Sequence, residues 1–179
     1  MLSTIVLYEM TDPSRRIDPA ESVVRTLSSL VKANVEGLLG DVAIAGPAAQ
    51  GLGFIADHAG CGLIEATDEA EWLRRAIEAA RGPHLFLLRS GFAPQAGFIE
   101  EAGDFIKARS ASLSDRAPTA LLRAAPETFI ERVFPNAAPL VGLIASRQRC
   151  LEASAGRLAA LARCVTPATT LRTHARRVG

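Results

Sequence analysis

At 179 residues the chain is long enough to bury one proper core and short for two. Its 49% hydrophobic and 22% charged residues exclude a disordered polymer and predict a soluble globular protein. A formal net charge of +1 argues against nucleic acid as the main partner, and no run approaches the ~20 apolar residues that a membrane-spanning helix requires.

Residues 3–7 are β-branched and apolar and predict an opening strand, followed by a loop carrying Glu9, Met10 and Asp12-Pro13. Asp18-Pro19, with Glu21 two residues further on, is an N-cap signal for a helix reaching about Val35, with Val23, Val24, Leu27, Leu30 and Val31 on one face. Residues 41–45 predict a second strand ending on a Gly46-Pro47 loop, 52–58 a weak helix, and 61–65 a third strand. A helix from Thr67 or Asp68 to Arg81 stops at Gly82-Pro83. The run 85–88 then fits a fully buried parallel strand, whose tip is Arg89-Ser90-Gly91.

Alternating strands and helices with short connections predict an α/β fold: three layers, a mostly parallel central sheet, helices on both faces. Ligands of such sheets bind outside the carboxyl ends of the strands, which directs attention to 89–91.

Beyond Phe92, residues 94–107 predict a helix, 108–118 an exposed polar connection, 119–124 and 139–146 two strands, and 127–133 a short helix between them. Residues 148–162 read as one helix and 164–179 as a strand or extended tail. No acid follows Glu152, whereas Arg157, Arg163, Arg172, Arg176 and Arg177 do, so the tail is basic. It is either a solvated terminus or a strip facing phosphate or lipid, the latter allowing peripheral membrane contact. Apolar strips at 98–106 and 151–161 predict a modest tendency to form a homodimer.

Cys61, Cys150 and Cys164 match no zinc or disulfide spacing and suit a reduced, cytoplasmic protein. His58, His84 and His174 are scattered, so no metal site is predicted from them. Trp72 is expected in the core rather than as a ligand platform.

The order of elements resembles the nucleotide-binding domain of family 2 glycosyltransferases, in particular short bacterial members. The likeness rests on 3–8, 41–46, 59–65, 73–88 and the closing stretch 167–177 with its paired arginines. It implies a nucleotide-diphospho-sugar transferase fold over 1–179 as one domain, with a nucleotide-binding-like half at 1–92 and an acceptor-side half plus basic tail at 93–179. In that family a divalent cation held by an Asp-x-Asp pair at the tip of the fourth strand grips the diphosphate of a nucleotide sugar. Here the matching positions are Arg89, Ser90 and Gly91. The acidic loop after the second strand is replaced by residues 45–49, the Gly-Arg-Gly-like loop by Asp68-Glu69-Ala70, and the strand start that carries the base by Leu140-Val141-Gly142.

The resemblance therefore implies a protein that binds a nucleotide sugar but lacks metal-dependent transfer, with no resident metal. Arg89, Ser90 and Arg74 are the expected phosphate-binding residues, and Glu9 or Asp12 the nearest carboxylates to act as base. Two alternatives stay open: a non-catalytic binding or regulatory module (a pseudoenzyme) on the same fold, and a metal-independent transferase in which Arg89 replaces the cation.

Overall fold

The computed structural model describes residues 1–9, 18–48, 50–110, 119–134, 137–153 and 155–178. Asp12 and residues 111–118 of the connection expected over 108–118 lie outside them, whereas residues 108–110 are helical rather than part of that connection. Among the described residues the strands are β1 (Leu2–Leu7), β2 (Leu39–Pro47), β3 (Gly62–Ala66), β4 (His84–Arg89), β5 (Phe92–Pro94), β6 (Thr119–Ala124), β7 (Leu140–Ser146) and β8 (Ala168–Arg177). The helices are α1 (Pro19–Val35), α2 (Leu52–Ala59), α3 (Glu69–Ala79), α4 (Phe98–Ser110), α5 (Phe129–Val133), α6 (Arg147–Ala153) and α7 (Leu158–Cys164).

All eight strands join one sheet in the order β3-β2-β1-β4-β7-β6-β8-β5. β3, β2, β1 and β4 run parallel, β7 is antiparallel to both β4 and β6, and β6 is parallel to β8. The sheet is thus mostly parallel, with helices on both faces as the alternation predicts.

β1 and β4 are central because both of their faces are apolar. Leu2 and Val6 of β1, with Phe86 and Leu88 of β4, enter the core beneath α1, α2 and α4. Ile5 and Leu7, with Leu85 and Leu87, enter the opposite core beneath α3, α6 and α7. Ser3 ties the strands together from one hydroxyl: its Oγ donates to Asp41 Oδ1 at 2.6 Å and accepts from Gly82 N at 2.7 Å. The expected helix starts form as read. Asp18 Oδ1 accepts from Ala20 N at 2.9 Å and Asp68 Oδ1 from Glu71 N at 2.8 Å, each satisfying a free first-turn amide.

Several expectations change. Val24 and Val31 of α1 are exposed, and the buried stripe runs instead through Val23, Thr26, Leu30 and Ala33. Residues 92–94 are a strand where a loop leading into a helix from Pro94 was expected, because Gly91 at φ 82° reverses the chain so that β5 can pair with β8, and the helix begins at Phe98. The single helix expected over 148–162 is two helices with a break before Arg157. The basic tail, read as a strand or extended segment, is a strand as that reading allowed, held by β6 on one side and β5 on the other. The strip at 98–106, expected to favour dimerisation, is covered by the chain's own core: Phe98 and Ala102 are buried, and Ile99, Phe105 and Ile106 pack against them. No helix among the described residues is long and apolar enough to cross a membrane.

Candidate functional site

In the sheet order β1 lies between β2, its successor, and β4, so the direction of winding reverses at β1 and β4. Open α/β sheets form their ligand crevice at the carboxyl ends of strands at such a reversal. Leu7 pairs with Arg89 in register, and the pairing continues past the strands: Ser90 N donates to Leu7 O at 2.8 Å, and Glu9 N to Ser90 Oγ at 3.0 Å. Ser90 is buried, so its hydroxyl holds the Glu9 backbone in place. Gly91 N donates to Thr26 Oγ1 of α1 at 2.9 Å, which fixes the turn after the strand tip.

This arrangement brings Glu9 and Arg89 together. The carboxylate forms an ion pair with the guanidinium, with Nε donating to Oε2 at 2.7 Å and Nη2 also in contact; Nη1 reaches Leu140 O at 3.4 Å. The side chains are about a third exposed, at 33% for Arg89 and 36% for Glu9. Partial burial lowers the Arg89 pKa from its ordinary value, but the group starts so high that it remains a cation at neutral pH. Its nitrogens are therefore engaged at the spot where the family resemblance places acidic cation ligands.

A cavity of about 590 Å³ opens over these residues. Its floor is Leu7, Tyr8, Glu9, Pro47 and Arg89, at the ends of β1, β2 and β4. One wall is the 67–69 turn with Trp72 of α3, and the other is Leu140 with Arg157, Leu158 and Ala159. Trp72 is 6% exposed, which makes it both a core residue, as expected, and part of the wall. The acids of the cavity have other engagements: Asp68 caps α3, and Glu69 Oε2 lies 3.2 Å from Arg157 Nε.

On the β2 side there is no room for a larger residue. A Cβ on Gly46 would lie 2.6 Å from Tyr8 Cβ and 2.8 Å from Leu52 Cδ1. Arg74 stands apart from this cavity, on the outer side of α3, where its Nη1 donates to Glu78 Oε1 at 2.6 Å. Arg75 turns back to Glu65 O at 3.2 Å and to Glu71.

A divalent cation requires several hard oxygen donors with uncompensated charge. The strand tip instead presents a guanidinium already neutralising the adjacent carboxylate, and among the described residues no group of three or more His, Cys, Asp or Glu side chains could hold a metal ion. The described residues of the tip do not fit such an ion. What the cavity can do is bind an anion, by exchanging Glu9 on Arg89 for a phosphate or carboxylate of the ligand.

Glu69 and Arg157 carried no motif in the sequence. Arg157 joins the cavity only because the helix breaks ahead of it, and Gly156, whose Cβ would lie 3.0 Å from Ala70 Cβ, is the local sign of that close approach.

No protein-family model matches the chain, and no curated protein matches it. Solved structures do. Glucosyl-3-phosphoglycerate synthase from Mycobacterium tuberculosis, in complex with Mn2+, UDP and glucosyl-3-phosphoglycerate, is similar over 83% of this chain and 58% of its own, with 13% identity and a TM-score of 0.56. HddC from Yersinia pseudotuberculosis, complexed with GMP-PN, is similar over 99% of this chain and 93% of its own, with 10% identity and a TM-score of 0.62. The bifunctional IspDF from Campylobacter jejuni is similar over 95% of this chain, with 15% identity and a TM-score of 0.54. The chain spans 58% of the glucosyl-3-phosphoglycerate synthase chain and 49% of IspDF, so it corresponds to about half of each. With the strand order and the crevice at its reversal, these likenesses establish that the chain has a nucleotide-diphospho-sugar transferase-like fold.

Proposed function

We infer that the cleft over β1 and β4 binds a nucleotide or nucleotide sugar through its phosphates without a divalent cation, and that the chain does not carry out metal-dependent sugar transfer. The observation that carries this reading is the Glu9–Arg89 pair at the strand tip. A guanidinium offers phosphate oxygens one permanent positive charge, against the two of a divalent cation, in a planar bidentate geometry. Ligand entry exchanges one carboxylate for phosphate oxygens on Arg89, and Glu9 is then the free carboxylate nearest the ligand. In a metal-independent transferase Glu9 would serve as the base toward an acceptor hydroxyl. Arg157 supplies a second cation on the opposite wall once Glu69 lets go. Arg74 is too engaged with Glu78 to contribute from its present position.

A second reading draws on the same pairing. With Arg89 and Arg157 each neutralised by a glutamate, the cleft has no net demand for an anion, as suits a binding or regulatory module that has given up nucleotide.

Isothermal titration of the full chain with UDP, GDP and CDP, in EDTA and then in Mn2+, separates these outcomes. The expected result is binding in EDTA that Mn2+ does not strengthen and that falls at least tenfold in Arg89→Ala. Binding seen only with Mn2+ overturns the metal-free reading, and no binding to any nucleotide in either condition favours the module.

A further inference from the structure

Beside the cleft the sheet carries a second pair of basic side chains. β7 is antiparallel to both β4 and β6, and β8 is parallel to β6, so β4, β6 and β8 end on the same side of the sheet. Leu88 of β4, Leu122 and Ala124 of β6 and Ala175 of β8 enter the core beneath α1, α2 and α4. Their chain neighbours Arg89, Arg123 and His174 therefore point to the opposite face, since successive side chains of a strand alternate. Arg123 pairs in register with Leu140, which lines the cavity, and on its other side with His174. A row of side chains thus leads from Arg89 over Leu140 to Arg123 and His174.

No acid among the described residues is paired with either group. Arg123 is half-buried, its Nη1 donates to Ala138 O at 2.7 Å, and its Nε is buried without a hydrogen-bond partner among the described residues. His174 is half-buried as well. Its carbonyl accepts from Gln95 N at 3.0 Å, whereas its ring has no partner among the described residues. This sets the two apart from Arg89 and Arg157, each of which has a glutamate. A half-buried guanidinium without an acid is costly, and two basic groups facing each other across neighbouring strands repel when both are charged. An anion bridging the two strands supplies the missing countercharge. A carboxylate is matched by a guanidinium alone, whereas a guanidinium and an imidazole N–H on adjacent strands suit the several oxygens of a phosphate.

We propose that Arg123 and His174 hold the phosphate of a phosphorylated small molecule, seated beside the nucleotide of the cleft as a second ligand. That this molecule is a co-substrate rests on the reading of the cleft as a nucleotide site, while the phosphate subsite itself stands on Arg123 and His174. Where the cleft works as a metal-independent transferase, its acceptor is an organic phosphate. Leu140, between Arg89 and Arg123, then separates the two sets of phosphate oxygens.

The test is isothermal titration of the full chain with glycerol 3-phosphate, with glycerol and with UDP, all in EDTA at physiological ionic strength. Glycerol 3-phosphate is expected to bind and glycerol not to bind. The affinity should fall at least tenfold in Arg123→Gln and several-fold in His174→Ala. Circular dichroism checks that each variant is folded, and His174→Ala, which removes no hydrogen bond of the ring, decides the matter alone if Arg123→Gln does not fold. Failure of glycerol 3-phosphate to bind, or unchanged binding by a folded variant, overturns the subsite whatever UDP does. If UDP fails to bind while glycerol 3-phosphate binds through these side chains, the cleft reading falls and the phosphate subsite stands.

Discussion

Glu9 and Arg89, 80 residues apart in sequence, close an ion pair across the tips of β1 and β4, and the Ser90 hydroxyl holds the backbone of the carboxylate partner. The pair competes with any anion for Arg89. Glu9→Gln should therefore raise metal-free nucleotide affinity several-fold while Arg89→Ala abolishes it, as titration calorimetry in EDTA would read. Both side chains being about a third exposed, either change should cost only ~1 kcal/mol of stability by denaturant titration.

Gly46 of β2 precedes Pro47 and packs against Tyr8, two of the residues that line the same cavity. A methyl group there would overlap Tyr8 and Leu52, at 2.6 and 2.8 Å, and Leu52 is fully buried. Gly46→Ala should destabilise by ~1–3 kcal/mol through forced repacking, visible as a lower urea midpoint with an unchanged slope.

Thr4 lies in the middle of β1 at 0% exposure, and its hydroxyl has no hydrogen-bond partner among the described residues. A buried, unsatisfied hydroxyl is a net cost that a methyl group of similar shape does not carry. Thr4→Val should stabilise by ~1 kcal/mol, which for a chain of this size is a rise of about 2–4 °C in Tm. An unchanged or lower Tm would argue that water or a local shift already satisfies the group.

Glu101 of α4 accepts from the backbone N–H of Arg172 and Thr173 of β8, at 2.8 and 2.9 Å. Burial by itself would raise its pKa, but hydrogen bonds from the Thr173 hydroxyl and those two amides, with the charge of Arg172, hold it below its ordinary value of 4.5. The folded state binds this proton less readily than the unfolded one. The contribution is therefore present above pH 4.5 and lost as pH falls through the folded value. Glu101→Gln should flatten the decline in stability below that pH, as parallel denaturant titrations between pH 3 and pH 6 would show.

Much of the scaffold was legible from residues alone because β1 and β4 are short, doubly buried apolar runs and Asp18 and Asp68 mark the starts of their helices. β5 was hidden because three residues carry no periodicity, and its sheet partner among the described residues is the distant β8. β8 could be read as a strand or extended tail, but its place between β6 and β5 could not, since its pairing with β6 carries a register shift between Leu121 and Arg123. At the site, Glu9, Ser90 and Arg89 could each be singled out from the sequence, since parallel neighbours bring strand tips together. Their mutual engagement could not, because a salt bridge depends on rotamers that no spacing encodes. Arg74 and Arg75 show the same limit, as adjacent helix residues whose partners lie on different sides of α3.

The placement of β8 bears on how the chain can be made. Residues 2–89 hold four neighbouring parallel strands that can associate as they leave the ribosome, whereas β5 must wait for residues 175–177 before it gains a hydrogen-bonding neighbour. During vectorial synthesis the second half of the sheet therefore stays incomplete until its last strand arrives, with β6 open along one edge. Such an intermediate is a natural substrate for chaperones, and its lifetime is governed by emergence of the arginine-rich strand rather than by any step at the cleft.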